Sequence, residues 1–212
     1  MTTDEVRALY ETIKDKIIAR IAFFKELWRN STEEDIFREL AFCLLTPQSK
    51  ARSADKAIKE LLEKDLLFSD DVAAIADVLN IVRFKNHKAQ YIIDARRQFT
   101  TERGIELKKY INENEIINTR NWFFKNVKGI GLKEAGHFLR NIGFGEQVAI
   151  LDRHILKNLR LCGVIDEVPK SLPPKVYFDI EQKMLSFANN IGIPPDHLDF
   201  VFWYKEAGEV FK

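Results

Sequence analysis

A lysine amine and a carboxylate, set 19 positions apart around a glycine turn, are the residues of this chain best suited to covalent chemistry. The turn is Val127-Lys128-Gly129-Ile130-Gly131-Leu132-Lys133, and the carboxylate is Asp152 in Leu151-Asp152-Arg153-His154. A Gly-x-Gly turn that opens a helix points free backbone N–H groups outward, and the helix dipole adds positive potential there, which suits a phosphate. Glycine also lets the backbone turn sharply and approach a phosphate without a Cβ clash. Lys133 falls in the first turn of the helix that follows. A lysine amine is ordinarily protonated, with a pKa of about 10.4, and attacks only in its neutral form. Helix N-termini and partial burial both favour that form. Asp152 can offset positive charge that develops on a sugar as a glycosidic bond breaks. A carboxylate about 4 Å from a unit cation gains on the order of 4 kcal/mol at an effective dielectric near 20. It can also shuttle protons, or simply cap the next helix. An amine, a carboxylate and a phosphate cradle together point to covalent chemistry on a nucleic-acid sugar. The plainer alternatives are an ordinary helix–helix connection and a solvated lysine.

The 212 residues suit one large domain or two small ones sharing a core. Apolar residues make up 46% of them, enough for a sizeable core and too many for global disorder. A net charge of +1 argues against coating nucleic acid by bulk charge, so phosphate contacts must come from positioned amides and a few cations. Cys43 and Cys162 lie far apart and form no Cys-x-x-Cys pair, so no zinc or iron–sulfur site, no other metal and no disulfide framework is expected. Their scarcity makes a reducing compartment, the cytoplasm, the expected setting. Met1 to Tyr10 carries charges and no apolar core, so no signal peptide is expected, and the longest apolar runs are too short to span a membrane.

Helical periodicity dominates, without alternating strands or hairpin turns. Ser31-Thr32-Glu33-Glu34 reads as a capping box. The helix it starts passes through Phe37, Leu40, Ala41, Phe42, Cys43, Leu44 and Leu45, is apolar nearly all round, and ends at Pro47. Further helices are expected over 51–62, after Asp70-Asp71, over 86–99, 114–124, 132–142 and 152–161. Pro173-Pro174 and Pro194-Pro195 introduce the last two, and Gly208 caps the final one.

The stretch from Val127 to Leu156 resembles the helix-hairpin-helix DNA glycosylase superfamily. The resemblance implies an all-α fold of two helical subdomains flanking a DNA-binding cleft. We expect residues 33–148 to form a helical barrel subdomain ending in the hairpin, and residues 1–32 and 149–212 a second one. In bifunctional members a Schiff-base lysine falls at the position of Lys133 and the carboxylate at Asp152. Gly129, Gly131 and Lys128 would then hold the DNA backbone. Val127-Lys128 stands where Leu-Pro is common, and the four-cysteine cluster of endonuclease III relatives is missing.

The C-terminus, Leu198 to Tyr204 and then Gly208 to Lys212, resembles the type 2 8-oxoguanine DNA glycosylases of archaea and some bacteria, which implies that Trp203 packs on a flipped base and that the terminal Lys212 helps recognise it. The plain alternatives are a core aromatic and a frayed end. In the superfamily the loop matching Leu45 to Lys50 carries an amide that fills the gap left by an extruded base, here Gln48, where the alternative is a helix-capping loop. The basic stretch Arg83 to Lys88 carries Phe84, either a wedge and base-recognition residue or an aromatic tucked under a solvated loop. Trp122, Phe123, Phe124 and His137 read as structural, and Arg153, Lys157 and Arg160 as phosphate ligands or a solvated face. The expected function is excision of 8-oxoguanine with strand nicking, by a monomer acting on double-stranded DNA without a cofactor. The alternatives are another oxidised base or a non-catalytic DNA-binding module.

Overall fold

The computed structural model describes residues 1–212. Ten helices make up most of the chain: α1 (Thr3–Asn30), α2 (Glu33–Leu45), α3 (Ala51–Glu63), α4 (Val72–Val78), α5 (Lys85–Phe99), α6 (Ile116–Asn126), α7 (Leu132–Asn141), α8 (Arg153–Leu161), α9 (Pro174–Asn190) and α10 (Pro195–Ala207). The all-α expectation holds, with one local exception. Thr100–Thr101 (β1) pairs antiparallel with Gly104–Ile105 (β2), a hairpin too short to show an alternating pattern in the sequence. No helix is long and apolar enough to cross a membrane.

The chain divides into two compact units, Leu27–Phe138 and Met1–Glu26 with Leu139–Lys212. Their boundaries fall inside α1 and α7, so no linker marks them.

In the Leu27–Phe138 unit α2 is the central element. Ile36, Phe37 and the run Leu40 to Leu45 are inaccessible to solvent. A helix apolar all round is stable only when neighbours cover every face. The capping box starts one residue later than the sequence pattern suggests. Thr32 is the N-cap, accepting from the Asp35 N–H, while the Asp35 carboxylate accepts from the Thr32 N–H at 3.1 Å. Aspartate, shorter than the usual glutamate, reaches because Thr32 adopts extended backbone. Glu33 projects the other way and accepts from the N–H groups of Leu107 and Lys108, at 2.7 and 2.9 Å. Asp71 caps α4 by accepting from the Ala74 N–H. Trp122 stacks on Tyr110 with ring centres 4.8 Å apart, and Phe123 packs on Phe138.

The other unit is built on the first 26 residues and on α8 to α10. The sequence reading assigned no helix to residues 1–30. Its signal was nonetheless there: Val6, Tyr10, Ile13, Ile17, Ile21 and Phe24 recur every three or four residues, and all are buried. Phe24 stacks on Phe200, and the Arg140 guanidinium lies 4.3 Å from the centre of the Phe200 ring. Pro174 and Pro195 occupy the first turns of α9 and α10, where a missing N–H costs nothing. Gly208 ends α10 with φ +74°.

Thr32→Ala is expected to cost about 1 kcal/mol, a melting-temperature drop of roughly 2–4 °C for a chain of this size in differential scanning calorimetry. Ser31→Ala is expected to stay within about 0.5 kcal/mol of the unaltered protein.

Candidate functional site

The glycine turn is built against α5. Gly129 has φ +89°, and a Cβ there would lie 2.4 Å from the Tyr91 ring. Glycine is therefore required twice over, by the left-handed backbone and by the aromatic beneath it. Lys128 leans over the same ring, with Nζ 5.7 Å from its centre and 3.6 Å from Asp94 Oδ2. Val127 and Ile130 are buried, so the turn is anchored by apolar side chains while its glycines stay near the surface.

α7 begins directly after the turn. Glu134 reaches back and accepts from the Gly131 N–H at 3.2 Å, and its other oxygen pairs with the Lys133 ammonium at 2.9 Å. The Lys133 side chain is 24% exposed, so it is neither solvated freely nor sealed in the core. Sequence reasoning passed over Glu134. Its signal was an acidic residue three positions after the turn's second glycine, the spacing at which a side chain can reach back to an unpaired helix N–H.

Gln48, in the turn between α2 and α3, and Phe84, the N-cap of α5, lie in the same unit and each has left-handed backbone, φ +53° and +60°. Such residues carry strain that the surrounding structure must enforce. Gln48 is exposed. Phe84 is 51% exposed, with the Arg83 guanidinium 5.4 Å from its ring centre. The alternative of a phenylalanine tucked under a loop is thus overturned: the left-handed turn throws the ring outward. Ser49 joins the two turns, its hydroxyl accepting from the Arg83 N–H at 3.0 Å. His137 is buried edge-on against Phe42.

Asp152, Trp203 and Lys212 belong to the other unit. Asp152 is the N-cap of α8, with Oδ1 accepting from the N–H groups of His154 and Ile155 at 2.8 and 2.9 Å. Both bonds fall on one oxygen, so the carboxylate caps the helix and still presents Oδ2. The segment leading to it is pinned by α9. The Ala149 N–H donates to Glu181 Oε1 at 2.8 Å, and the Tyr177 hydroxyl donates to the Ala149 carbonyl at 2.6 Å. A buried carboxylate and a buried phenol thus fix the backbone three residues before Asp152.

Trp203 is half-buried on α10, its ring centre 5.1 Å from that of His154 and the two planes inclined at 61°. His154 Nδ1 faces Glu206 at 3.7 Å. The Lys157 ammonium, 2.8 Å from Glu206, holds that carboxyl below its usual range, helped by the Asn158 amide. Lys157 therefore has a partner and is not a bare phosphate ligand. The Lys212 side chain is partly covered.

The chain matches the model of a family described as 8-oxoguanine DNA glycosylase over residues 17–193. An 8-oxoguanine DNA glycosylase/AP lyase of Fusobacterium nucleatum is 45% identical over 210 residues, covering 99% of this chain and 97% of that protein. The crystal structure of the Thermotoga maritima 8-oxoguanine DNA glycosylase superposes with a TM-score of 0.87 at 32% identity, covering 99% and 98% of the two chains. That of the Methanocaldococcus jannaschii 8-oxoguanine glycosylase/lyase, in complex with a 15mer DNA containing 8-oxoguanine, gives 0.85 at 33% identity and covers 99% of each.

Gly129→Ala is expected to destabilise the protein by at least about 1–2 kcal/mol in urea unfolding, from the left-handed backbone alone. In Gly129→Ala/Tyr91→Ala the loss should be smaller than the sum of the single losses, because the ring that the new methyl strikes is gone.

Proposed function

The chain belongs to the family of 8-oxoguanine DNA glycosylases, and from that premise we propose that it removes 8-oxoguanine from double-stranded DNA through a lysine Schiff base and then nicks the strand. Lys133 is the nucleophile. It leaves its ion pair with Glu134, sheds a proton, and attacks the sugar C1′ as the neutral amine. The bond from C1′ to the base breaks, and the base departs with the electron pair and a proton. Asp152 offsets the cationic character that develops on the sugar and helps move protons to and from the amine. Opening of the sugar gives the protonated Schiff base. Loss of a C2′ proton then expels the 3′ phosphate, and hydrolysis of the remaining imine frees Lys133.

The remaining residues bind and shape the substrate. The N–H groups around Gly129 and Gly131, with Lys128, hold the DNA backbone near the lesion. Trp203, Phe84 and Lys212 recognise the extruded base, two by aromatic contact and one by charge. Gln48 enters the gap and hydrogen-bonds the orphaned partner base. No cofactor enters this route, and the protein acts as a monomer on DNA in the cytoplasm. The observation that carries the reading is a lysine in the first turn of α7, beyond a turn that only glycine can make, in a chain that shares its full length with 8-oxoguanine glycosylase/lyases.

Borohydride added to the protein and a duplex containing 8-oxoguanine should trap a covalent protein–DNA adduct. Lys133→Gln should abolish trapping and strand nicking. Asp152→Asn should keep duplex binding while slowing single-turnover base release by about 100-fold or more. Binding without any trapping or base release by the unaltered protein would sink the proposal.

A further inference from the structure

The turns that carry Gln48 and Phe84 share one buried amine. Lys88 lies on α5, one helical turn beyond Phe84, and is only 3% exposed. Its Nζ donates to the Leu45 carbonyl at 2.8 Å, the Pro47 carbonyl at 2.8 Å and the Ser49 hydroxyl at 3.0 Å. An ammonium has three N–H donors, and here each has an acceptor. Two of those acceptors belong to the residues directly before and after Gln48. One of these two, Ser49 Oγ, also accepts from the Arg83 N–H, so the same hydroxyl links the amine to the residue before Phe84. Both exposed side chains thus project from left-handed backbone that Lys88 ties down from beneath.

A buried charge is costly unless hydrogen bonds and partners offset it, and an apolar side chain would fill the space more cheaply. What the ammonium supplies, and a methionine could not, is a fixed shape for three backbone and hydroxyl oxygens around Gln48. Gln48 itself makes no hydrogen bond that would hold its turn, so the turn's form is set from outside the residue that uses it.

We propose that Lys88 is a positioning residue for base excision: it holds Gln48 poised to enter the gap in the duplex and, through Ser49, keeps the Phe84 turn in register with it. The inference rests on the gap-filling role proposed for Gln48 above.

The positions of charge around Lys88 give the device a pH dependence. Burial and the neighbouring Lys133 ammonium lower its pKa from 10.5 to about 8, with Glu134 acting in the opposite sense and Arg83 adding to the lowering. Below pH 8 all three bonds are charge-assisted. As pH rises through 8 the amine becomes neutral and keeps two N–H donors, and neutral bonds are roughly half as strong. The grip on the turn therefore weakens on the alkaline side.

The test is single-turnover base release from two duplexes, one with cytosine opposite 8-oxoguanine and one with a tetrahydrofuran abasic analogue there, which offers Gln48 no base to bond. The readout is the ratio of the two rates. Gln48→Ala and Lys88→Met should each lower the cytosine-to-abasic ratio by about tenfold, the loss expected for one good hydrogen bond. The double variant should lose no more than Gln48→Ala alone. The ratio of the unaltered protein should fall between pH 7 and 9, and that of Lys88→Met should stay flat. If Lys88→Met does not fold, as judged by circular dichroism, Ser49→Ala removes one of the three acceptors and the same ratio should drop. Equal slowing on both duplexes, or ratio losses that multiply in the double variant, would overturn the inference and leave the function standing. Absence of base release by the unaltered protein from either duplex overturns the function and this inference with it.

Discussion

The left-handed turn at Gly129 is the constraint on which the candidate site depends. It sets the backbone so close to α5 that a Cβ on Gly129 would lie 2.4 Å from the Tyr91 ring, and Lys128 adds its contacts with Tyr91 and Asp94 of the same helix. Everything after the turn inherits that placement. Gly131 presents an N–H that Glu134 satisfies, and the same carboxylate holds Lys133. Move the turn and the cap, the ion pair and the amine move together. The buried Val127 and Ile130 supply the energy that keeps it in place, since each removes a branched apolar side chain from water, about 1.5–3 kcal/mol apiece.

Charge inside the Leu27–Phe138 unit is arranged so that few ions serve several bonds. Lys88 spends its three donors on three oxygens, and Glu134 divides its two oxygens between an N–H and an ammonium. The unit sets two like charges, Lys88 and Lys133, near each other and one carboxylate near both, which is why burial and repulsion lower the Lys88 pKa while Glu134 restrains the shift. Such an arrangement adds little net stability, because desolvation offsets much of the Coulombic gain. What it does is bring fixed donors to the turns whose backbone is left-handed at Gln48 and Phe84.

Much of this was legible in the sequence, and the parts that were not differ in cause. Helices with strong local signals, such as α2 with its cap and α9 and α10 with their leading prolines, fall within a residue or two of where the pattern places them. α1 carries no leading proline, and its charged residues outnumber the stripe at Val6, Tyr10 and Ile13, so its regular apolar spacing stands out less than theirs. Lys133 and Asp152 stood out because each is tied to a helix start that the sequence announces. Lys88 did not stand out. It sits in a basic stretch, and nothing local distinguishes it from its solvated neighbours; its acceptors lie about 40 positions away, and only the fold brings them to it. Long-range satisfaction of polar groups leaves no periodic trace.

Asp152 is a helix cap in the structure, and the chemical role proposed for it asks nothing that the cap takes away. The two readings competed in the sequence, but they use different oxygens. Oδ1 accepts from the N–H groups of His154 and Ile155, and that pair of hydrogen bonds restrains the carboxylate. Orientation is what an electrostatic role requires, because a preorganised charge need not reorganise as the reaction proceeds. The backbone before it is held in turn by Glu181 and Tyr177 of α9, so the carboxylate is fixed on both sides. A free aspartate on a surface loop would spread its charge over many rotamers. Here the cap removes that freedom in advance, which is what the proposed chemical role would require.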